Sequence, residues 1–499
     1  VQVSARTSIN NVMITPTYEK YYERAFQDTE LIENTSTNER FSFSDLSLRW
    51  LYNLSGKDRF RANFIWISNE LGFDENALID NEFLSKKSGL EQRSLGGGLH
   101  YEREWKKNWI TWAQLYISDY KLEALNNNLA ERQQVIQENE VIETSLKAVS
   151  DKKLNDNFDW IAGYEYSETG ISNLQDVNNP DFRAYTKNVM QSHAIFSSMH
   201  YVSKSAATVF DIGARLNYFK NLEDLRVEPR VSFNQAVSHD FNIEFLGEYK
   251  SQATTQTIDY QTDFLGVEKR RWRLADGDEI PLLTSKQVSL GLIYDKNDWL
   301  ISVTGYLKEV EGITSQSQGF QNQYQYARFT GSYFTKGVDF LIDKSFGNFS
   351  SYISYSLSGN EYTFSVLPEE NFPNSVEIVN SLSFALAYEL DDFKVSAGMK
   401  YRNGKPFTAL TNSGLQNNQL IYKSPNSNNL EDYFRVDISA SQKLDFGQGI
   451  KAQLGISIWN LLDNENIIDS HYRLENGKVS RIFQQGLGLT PNLSVRVFF

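Results

Sequence analysis

The stretch that decides the fold is SLSFALAYEL, residues 381–390. Leucine, phenylalanine and tyrosine fill its even positions, and serine, alanine and glutamate fill its odd positions. Because successive side chains of a strand point to opposite faces, this period of two predicts a β-strand with one apolar and one polar face. Its ten residues match a tilted strand that crosses a bilayer and exceed the usual strand length.

The same alternation recurs in residues 241–250 and 450–459, and very short polar turns join such segments. Glycine, asparagine, aspartate and serine supply the backbone angles that tight hairpins need. The turns recur about every 49 residues, and we predict them at 55–58, 106–108, 151–155, 203–205, 238–240, 295–298, 345–347, 391–392 and 446–448.

Long polar connections separate these short turns. They are expected at residues 69–92, 121–140, 251–283, 359–379 and 403–431. Strict alternation of short turns with long loops is typical of an outer-membrane β-barrel, whose short turns lie on the periplasmic side. A β-propeller would repeat at a similar spacing, but the sequence contains no blade motif. A short helix at residues 129–140 is an open alternative to a loop there.

Composition excludes several other classes of protein. Of the 499 residues, 63 are acidic and 49 are basic, and the net charge of −14 argues against a nucleic-acid-binding protein. The mean hydropathy is −0.47, and no apolar run approaches the ~18 residues of a transmembrane helix. The chain contains no cysteine, which excludes disulfides and thiolate metal sites. The aromatic content of 14% fits a polar chain whose lipid-facing side chains alternate with polar ones.

The number of strands follows from the turns. A tenth short turn is predicted at residues 8–11, between strands at 1–6 and 12–22. Ten turns join twenty strands, and the terminal strand is the twenty-first. Because bacterial single-chain barrels have even strand numbers, we predict an all-β, transmembrane antiparallel β-barrel of about 22 strands, with the first strand missing from the chain. The sequence shows no signal peptide, which outer-membrane proteins are made with.

The positions of aromatic and charged residues support a membrane barrel. The tryptophans beside short turns are expected in the aromatic girdle, and charges on polar faces are expected to point into the lumen. A terminal strand with apolar alternate residues is expected to act as the barrel-assembly signal. The girdle residues are Trp105, Trp109 and Trp299, the lumen-facing charges are Glu244, Glu248, Lys250, Arg435, Asp437 and Lys451, and the assembly signal is Leu493, Val495, Val497 and Phe499.

Several motifs resemble those of one known family. VEPRVSF at residues 227–233, followed by 241–250, resembles the mid-barrel "EPR" strand pair of TonB-dependent outer-membrane receptors. KYRNGKPFT at 400–408 resembles the family's "yrsGkPyTp" motif, and IWNLLD at 458–463 resembles its "vxNLfD" motif. Looser resemblances cover residues 283–310, 331–344 and 433–441, so that the similarity extends over about residues 225–499.

The resemblance implies a transport protein of the bacterial outer membrane. Family members have a 22-stranded barrel, an N-terminal plug and a TonB box, which couples opening to the TonB energy-transducing complex. No plug or TonB box is found, and we therefore expect residues 1–499 to form a single barrel domain. The expected partners are outer-membrane lipid, lipopolysaccharide, the TonB complex and a surface lipoprotein or other outer-membrane subunits. No cofactor is expected.

Catalysis finds little support in the sequence. His193 and His200 are seven residues apart, which places them on opposite faces of a strand. No phosphate loop or nucleophile elbow is found, so we do not expect an enzyme. Two loop segments are candidates for ligand binding: a basic one with Arg270, Arg271, Trp272 and Arg273, and an amide-rich one with Tyr324 and Tyr326. Cations of the first could bind an anionic ligand or lipopolysaccharide phosphates, or could pair with Asp276, Asp278 and Glu279. Rings and amides of the second suit sugars or peptides.

Three functions remain open from the sequence. The first is energised uptake of a scarce nutrient across the outer membrane. The second is a barrel that serves as a structural subunit of a larger outer-membrane complex without transport. The third is a secreted, soluble all-β protein that acts on carbohydrates.

Overall fold

The computed structural model describes residues 1–9, 13–25, 36–79, 82–106, 108–128, 133–259, 269–447, 449–475 and 477–499. Within these residues the chain forms one α-helix, α1 (Pro16–Ala25), and short 3-10 turns at Lys220–Leu222 and Ser315–Ser317. The strands are β1 Gln2–Thr7, β2 Ser36–Asn53, β3 Asp58–Ile79, β4 Glu82–Lys106, β5 Trp109–Asn128, β6 Gln133–Lys153, β7 Phe158–Asn178, β8 Asp181–Val202, β9 Thr208–Phe219, β10 Asp224–Ala236, β11 Phe241–Gln252, β12 Thr254–Asp259, β13 Lys269–Leu274, β14 Leu283–Lys296, β15 Trp299–Thr314, β16 Thr330–Phe346, β17 Phe349–Thr363, β18 Asn371–Pro373, β19 Asn380–Leu390, β20 Phe393–Arg402, β21 Pro406–Phe407, β22 Leu410–Gln416, β23 Gln419–Tyr422, β24 Asn428–Asn429, β25 Tyr433–Asp445, β26 Lys451–Trp459, β27 Ile467–Glu475, β28 Lys478–Gln485 and β29 Thr490–Phe498.

Most of these strands belong to one antiparallel sheet. It contains 21 strands in the described residues, namely β1–β11, β14–β20, β25, β26 and β29. The other eight strands form two-stranded sheets within the long connections. The predicted all-β, antiparallel class is therefore confirmed.

The chain divides into two compact units. The first unit contains Val1–Ile14, Thr29–Val231 and Glu248–Thr284. The second unit contains Thr15–Asp28, Ser232–Gly247 and Ser285–Phe499.

Nine of the predicted short turns are confirmed, because one strand ends and the next begins around each of them. Between β2 and β3, the backbone N–H of Leu54 donates to the carbonyl of Asp58 at 2.9 Å. Between β14 and β15, Asn297 and Asp298 have φ angles of 51° and 61°. Two such residues in succession are typical of the hairpin turns that match strand twist. Residues 107 and 448, inside two predicted turns, lie outside the described residues.

The tenth predicted turn is wrong. Residues 10–12 lie outside the described residues, but β1 pairs with β2, with Gln2 opposite Arg49, and not with a strand at 12–22. Helix α1 occupies residues 16–25 instead. The hydroxyl of Thr15 accepts a hydrogen bond from the backbone N–H of Tyr18 at 3.1 Å, and Pro16 is the first helical residue. A capping side chain and a proline at this position both favour the start of a helix.

The sheet has 21 strands, as many as were predicted from the sequence, but one of them is a different strand. The three-residue strand β18 belongs to the sheet, whereas the strand predicted at 12–22 does not exist. Without β18, the described sheet has twenty longer strands, which is already an even number. A twenty-second strand therefore stays a prediction, and strand parity no longer supports it.

Strands β2–β8 of the first unit are much longer than the predicted ten residues. β3 has 22 residues, β4 has 25 and β6 has 21. The connection predicted at 69–92 is therefore wrong, because β3 and β4 pair as far as Ile79 opposite Glu82. The connection predicted at 121–140 is also wrong, because β5 and β6 pair as far as Asn128 opposite Gln133. The alternative helix at 129–140 is also wrong over its described part, since Gln133 begins β6.

In the first unit, the apolar face of β5 and β6 ends partway along each strand. On β5, the exposed Leu115 and Ile117 share a face with Asp119, Lys121 and Glu123, which follow them. The neighbouring strand β6 shows the same change, from exposed Leu146 and Ile142 to Glu140 and Glu138. We call residues 119–128 of β5 and 133–140 of β6 the strand extension.

The second unit builds its long connections differently. The connection between β20 and β25 contains the β22–β23 hairpin and the short β21–β24 pair, and the connection between β26 and β29 contains the β27–β28 hairpin. The connection between β15 and β16 contains the 3-10 turn Ser315–Ser317, in which the Thr314 hydroxyl accepts from the backbone N–H of Ser317 at 3.2 Å. Phe320 in this connection, and Phe364 and Phe372 in the connection between β17 and β19, are buried aromatic side chains.

Candidate ligand-binding site

The predicted basic segment of the first unit is part of a β-hairpin. β13 pairs with β12 over six positions, with Thr254 opposite Leu274 and Ile258 opposite Arg270. Residues 260–268, which connect the two strands, lie outside the described residues. The arginines are therefore presented by a defined strand, which the sequence did not predict.

Two asparagines of the large sheet hold this hairpin through the backbone of Trp272. The Asn139 Oδ1 atom accepts from the Trp272 N–H at 3.1 Å, and the Asn173 side chain donates to the Trp272 carbonyl at 3.2 Å. Asn139 is fully buried and also donates to Asn173 Oδ1 at 2.9 Å. A buried amide left without partners is costly, so these bonds fix the hairpin on β6 and β7. Nothing in the sequence around Asn139 distinguishes it from the other asparagines of that region.

Beneath the hairpin lies an apolar cluster that fixes its orientation. The Trp272 side chain packs against this cluster, and Leu274 is one of its buried members. Burial of these side chains stabilises the folded hairpin, since apolar area is removed from water. The other buried members are Ile171, Met190, Phe219, Ala275 and Leu282.

The arginines on either side of Trp272 lie on the opposite face of the hairpin. Arg271 and Arg273 alternate with Trp272, whose ring packs on the cluster, so their side chains point away from it. The Arg273 guanidinium lies 4.0 Å from the Glu279 carboxylate, and both side chains are more than one-third exposed. One predicted pairing with downstream acids is therefore confirmed. Arg271 and Arg273 thus give this face of the hairpin two cationic side chains.

In the second unit, the amide-rich segment 321–326 is partly structural. The buried Asn322 donates to the Thr408 hydroxyl at 3.2 Å, and this hydroxyl donates in turn to Asn426 Oδ1 at 3.3 Å. Tyr324 contacts the ring of Phe329, with ring centres 5.9 Å apart. Tyr326 is 80% exposed. Of the residues predicted to bind a ligand here, Tyr326 alone presents most of its ring to solvent in the described structure.

A buried aromatic cluster supports this segment. Phe320, Phe364 and Tyr362 are almost fully buried and meet edge to face or tilted, at centre distances of 5.5 to 5.7 Å. Phe329 packs on Phe364 at 5.0 Å, and Phe372 stacks on it at 6.0 Å. Such pairs add stability beyond the area they bury. The loop residues around Tyr326 are therefore held by a core of their own.

Close packing also explains one motif of the resemblance. In KYRNGKPFT, Gly404 lies so close to Leu430 that a Cβ atom would overlap the Leu430 carbonyl oxygen. Only glycine allows this approach of two backbone segments. After it, Pro406 and Phe407 form β21 and pair with β24.

An arginine surrounded by rings lies on the β27–β28 hairpin of the second unit. The Arg481 guanidinium is 4.2 Å from the ring centre of Phe407, 4.6 Å from that of Phe483 and 5.9 Å from that of Tyr472. Its Nε donates to the Ser470 hydroxyl at 3.0 Å. Cation–π contacts of this kind join the hairpin to the segment that contains Phe407. Sequence reasoning did not single out Arg481, since its shortest ring contact is with Phe407, 74 residues earlier in the chain.

Tyr422 extends this aromatic surface. Its ring meets that of Tyr472 edge to face at 6.3 Å. Burial raises the pKa of the Tyr422 phenol, and Tyr472 and Tyr326 act in the same direction. The phenol therefore stays protonated and can donate a hydrogen bond throughout the physiological pH range. We call Tyr326, Tyr422, Tyr472 and Arg481 the loop surface.

The six charges predicted to face the lumen lie on polar strand faces, and most of them are paired. Arg435 donates two hydrogen bonds to Asp437, and Lys250 lies 2.7 Å from Glu248. Lys451 lies 3.5 Å from Asp445, and both side chains are more than half exposed. The side chain of Glu244 is half-buried. Their orientation towards a lumen stays a prediction.

The predicted girdle residues cluster beside short turns. Trp105 stacks on Trp109 at 5.7 Å, and the Lys344 ammonium lies 5.0 Å from the ring centre of Trp299. All three indoles are between 38% and 46% exposed. Leu493, Val495, Val497 and Phe499 are also exposed, and β29 pairs with β26. Their roles in membrane anchoring and barrel assembly stay predictions.

Histidines and acidic residues do not assemble a metal centre in the described part of the chain. There, no group of three or more such side chains is placed to hold an ion. His193 contacts the Tyr164 hydroxyl at 2.8 Å and His200 contacts Asp211 at 2.6 Å. No helix of the described residues has the length and hydropathy of a membrane span.

Comparison with known proteins identifies the fold. No protein-family model matches the sequence, and none of the curated proteins matches it significantly. Solved structures do match. The ferric citrate transporter FecA in its unliganded form has a TM-score of 0.62 at 9% identity, over 93% of this chain and 76% of that one.

Two further solved structures give similar agreement. The ferric enterobactin receptor PfeA from Pseudomonas aeruginosa, in complex with enterobactin, has a TM-score of 0.64 at 11% identity, over 95% of this chain and 72% of that one. The copper transporter OprC has a TM-score of 0.59 at 12% identity, over 93% and 79%. The chain therefore has the fold of the TonB-dependent outer-membrane receptors, as the motifs in its sequence imply.

Proposed function

We propose that this chain forms the membrane-spanning part of an outer-membrane receptor that takes up a scarce nutrient with energy from the TonB complex. The observation that carries the proposal is the change along β5 and β6 from an exposed apolar row to charges on the same face. In β5 it occurs between Ile117 and Asp119. A surface that is apolar for about ten residues and then charged suits a bilayer bounded by water.

The two ends of the strands support a direction for uptake. Short turns with exposed tryptophans close one end, which suits the periplasmic side. Away from its short turns, the first unit carries the cationic hairpin; away from its own short turns, the second unit carries the loop surface. Ligands of such receptors arrive from outside, so these two surfaces are the proposed sites of first contact.

The structural neighbours set the ligands that should be tried first. These three proteins are named for ferric citrate, ferric enterobactin and copper. Arginines and phenols suit anionic, oxygen-rich chelates, because both donate hydrogen bonds to carboxylate and phenolate oxygen. We therefore propose anionic metal chelates as the first class of ligand to test.

Uptake by intact bacteria tests the proposal. A strain that lacks the gene is complemented with the intact gene, and uptake of radioactive ferric citrate, a ferric catecholate and copper is measured with and without TonB. We expect uptake of at least one that depends on both proteins. Uptake that persists without the protein, together with stable co-purification of other outer-membrane subunits, would support a structural role instead.

Variants of the loop surface localise the ligand. Tyr326→Ala should reduce uptake several-fold without changing the amount of protein in the outer membrane. Tyr185→Ala is the matched control, since Tyr185 is 60% exposed on β8 of the first unit. Equal loss in both variants would contradict a role for the loop surface.

A further inference from the structure

Two connections that build the loop surface contain no acidic residue, in a chain whose net charge is −14. Residues 312–338 and 403–430 have neither aspartate nor glutamate, although 63 of the 499 residues are acidic. The two segments are in contact, because Asn322 donates to the Thr408 hydroxyl at 3.2 Å and Gln323 donates to the Lys423 carbonyl at 3.4 Å. Positive charge in this part of the second unit therefore has few carboxylates to pair with.

The β27–β28 hairpin adds one acid-free face to these segments. Tyr472 lies opposite Arg481, so the side chains of this pair and of the pairs next to it share a face. The residues of this face are Ser470, Tyr472, Leu474, Val479, Arg481 and Phe483. Asp469 precedes the face, and its carboxylate lies 3.1 Å from the Lys405 ammonium. Its charge is therefore already compensated by a lysine.

The Arg481 guanidinium is fixed on one side and open on the other. The Ser470 hydroxyl accepts from its Nε, and the rings of Phe407 and Phe483 contact its plane. In the described part of the chain, its two terminal nitrogens have no hydrogen-bond partner and no carboxylate within 4.0 Å. Neither nitrogen is among the buried polar atoms without a partner, so both reach solvent. The rings thus orient the charged group without neutralising it.

Tyr422 adds a second donor beside the same ring. The ring centre of Tyr472 lies 5.9 Å from the Arg481 guanidinium and 6.3 Å from the ring centre of Tyr422. The Tyr422 hydroxyl has no hydrogen-bond partner among the described residues, and it is not a buried atom. A guanidinium and a protonated phenol thus border one ring, and both can only gain by meeting an anionic acceptor.

Resting on the proposed role of the loop surface in ligand binding, we propose that Arg481 and Tyr422 bind a carboxylate of the ligand, carried on an aromatic ring. Because Nε is taken by Ser470, the two terminal nitrogens remain, and their parallel N–H groups match the two oxygens of a carboxylate. One cation balances one negative charge, whereas a phosphate ester brings about −1.5 to −2. The partly exposed ring of Phe483 and the exposed ring of Tyr326 offer faces for stacking. The ligand class is therefore an aryl carboxylate, free or as part of a metal chelate.

Fluorine NMR of the purified protein in detergent tests the class of ligand. The probes are para-trifluoromethylbenzoate, the corresponding neutral benzamide and para-trifluoromethylphenyl phosphate, which share one ring and one reporter group. We expect the benzoate to bind about tenfold more tightly than the benzamide, which is the contribution of a hydrogen bond to a charged group. The phosphate should bind more weakly than the benzoate.

Variants assign this preference to the two residues. In Arg481→Gln the preference for the benzoate over the benzamide should disappear. Lys423→Gln is the matched control, since it removes an exposed cation next to Tyr422 in the chain, and it should keep the preference. Hydrogen exchange in β27 and β28 shows whether the hairpin stays folded in Arg481→Gln.

Tyr422→Phe keeps the ring contact with Tyr472 and removes only the hydroxyl, so it tests the site even if Arg481→Gln unfolds the hairpin. It should weaken benzoate binding about tenfold and leave benzamide binding nearly unchanged.

Four results would overturn the inference: equal binding of benzoate and benzamide to the unaltered protein, tighter binding of the phosphate, unchanged benzoate binding in Tyr422→Phe, or an equal loss in Lys423→Gln and Arg481→Gln. Failure of the proposed function looks different. The benzoate would then bind as expected in detergent, but no uptake by intact bacteria would depend on the protein.

Discussion

Each of the two units has short turns at one end of its strands, but the two units differ in how the chain folds at the opposite strand ends. In the first unit the ladder continues, so that β3 and β4 pair through 22 positions. In the second unit β26 and β29 pair through only nine, and the chain between them folds into the β27–β28 hairpin. At these strand ends, the first unit continues its sheet, and the second unit has packed loops.

The difference shows two ways to satisfy backbone groups outside a bilayer. A continued ladder pairs each N–H and C=O with the next strand, which requires no separate core. Packed loops leave fewer ladder bonds and depend on buried side chains, such as Phe364 with 0% exposure. We therefore expect single side-chain substitutions to damage the second unit's loops more than the strand extension of the first.

The largest effect is expected for Phe364→Ala. Phe364 contacts the rings of Phe320, Phe329 and Phe372, and removal of a buried phenylalanine costs about 3–5 kcal/mol. Hydrogen exchange of the protein in detergent should become faster in residues 315–329 and 360–377. Tyr326→Ala is the control, since this ring is exposed. Unchanged exchange in those residues would show that the loops do not depend on the aromatic cluster.

A smaller effect is expected for Asn139→Ala in the first unit. It removes the acceptor of the Trp272 N–H, and a lost buried hydrogen-bond partner costs about 1–3 kcal/mol. Exchange should increase in β12 and β13 but not in β6, whose ladder bonds remain. Asn188→Ala, at an exposed position of β8, is the matched control. Faster exchange throughout β6 would mean that the ladder of the strand extension is not self-sufficient.

Substitution in the loop surface itself should destabilise the protein less than substitution of Phe364 or Asn139. Arg481→Lys keeps the charge but loses the planar group that contacts Phe407 and Phe483, and we expect a cost of about 1 kcal/mol. The readout is the exchange rate of β27 and β28. Arg93→Lys, an exposed arginine paired with Glu91, serves as the control. A larger loss of stability in Arg93→Lys than in Arg481→Lys would contradict the expectation that the loops of the second unit are the more sensitive to substitution.

Much of this difference between the two units could not be predicted from the sequence. The nine turns were predicted because aspartate, asparagine, glycine and serine mark tight hairpins wherever they interrupt an alternating pattern. The strand extension was missed because it is rich in asparagine, glutamine and glutamate, which also suit a long loop, although Tyr120, Leu122 and Ala124 alternate with charged residues on β5. Helix α1 was missed because its tyrosines also fit a strand, whereas its capping by Thr15 depends on the structure.

The residues of the candidate sites were also only partly predictable from the sequence. The composition of residues 269–273 identified the basic hairpin, and the exposed Tyr326 was among the predicted ligand-binding residues. Asn139, Tyr422 and Arg481 were missed, because each acts through partners far away in the chain: Trp272 lies 133 residues from Asn139. Such pairs depend on strand register, which single-sequence patterns do not determine.

The smallest effect is expected for surface charges of the strand extension. Lys121 lies 3.2 Å from Glu123 and 3.4 Å from Glu138, but its side chain is 38% exposed. Such pairs contribute less than about 1 kcal/mol and weaken in salt. Lys121→Gln should therefore change exchange in β5 and β6 only slightly at low salt and not at all in high salt. A large change would show that ion pairs, and not the ladder, hold the extension.

The most direct test of the account uses the absence of cysteine in the chain. Single variants Lys121→Cys, Leu115→Cys and Lys204→Cys place one thiol in the strand extension, one in the apolar row and one in a short turn. Each is exposed on intact bacteria to a polymer-linked maleimide too large to pass the outer membrane. On intact bacteria we predict labelling of Lys121→Cys alone. Lys204→Cys should be labelled only after the outer membrane is opened. Labelling of Lys204→Cys, but not Lys121→Cys, on intact cells would contradict the proposed orientation, and equal labelling of all three would contradict a membrane-spanning sheet.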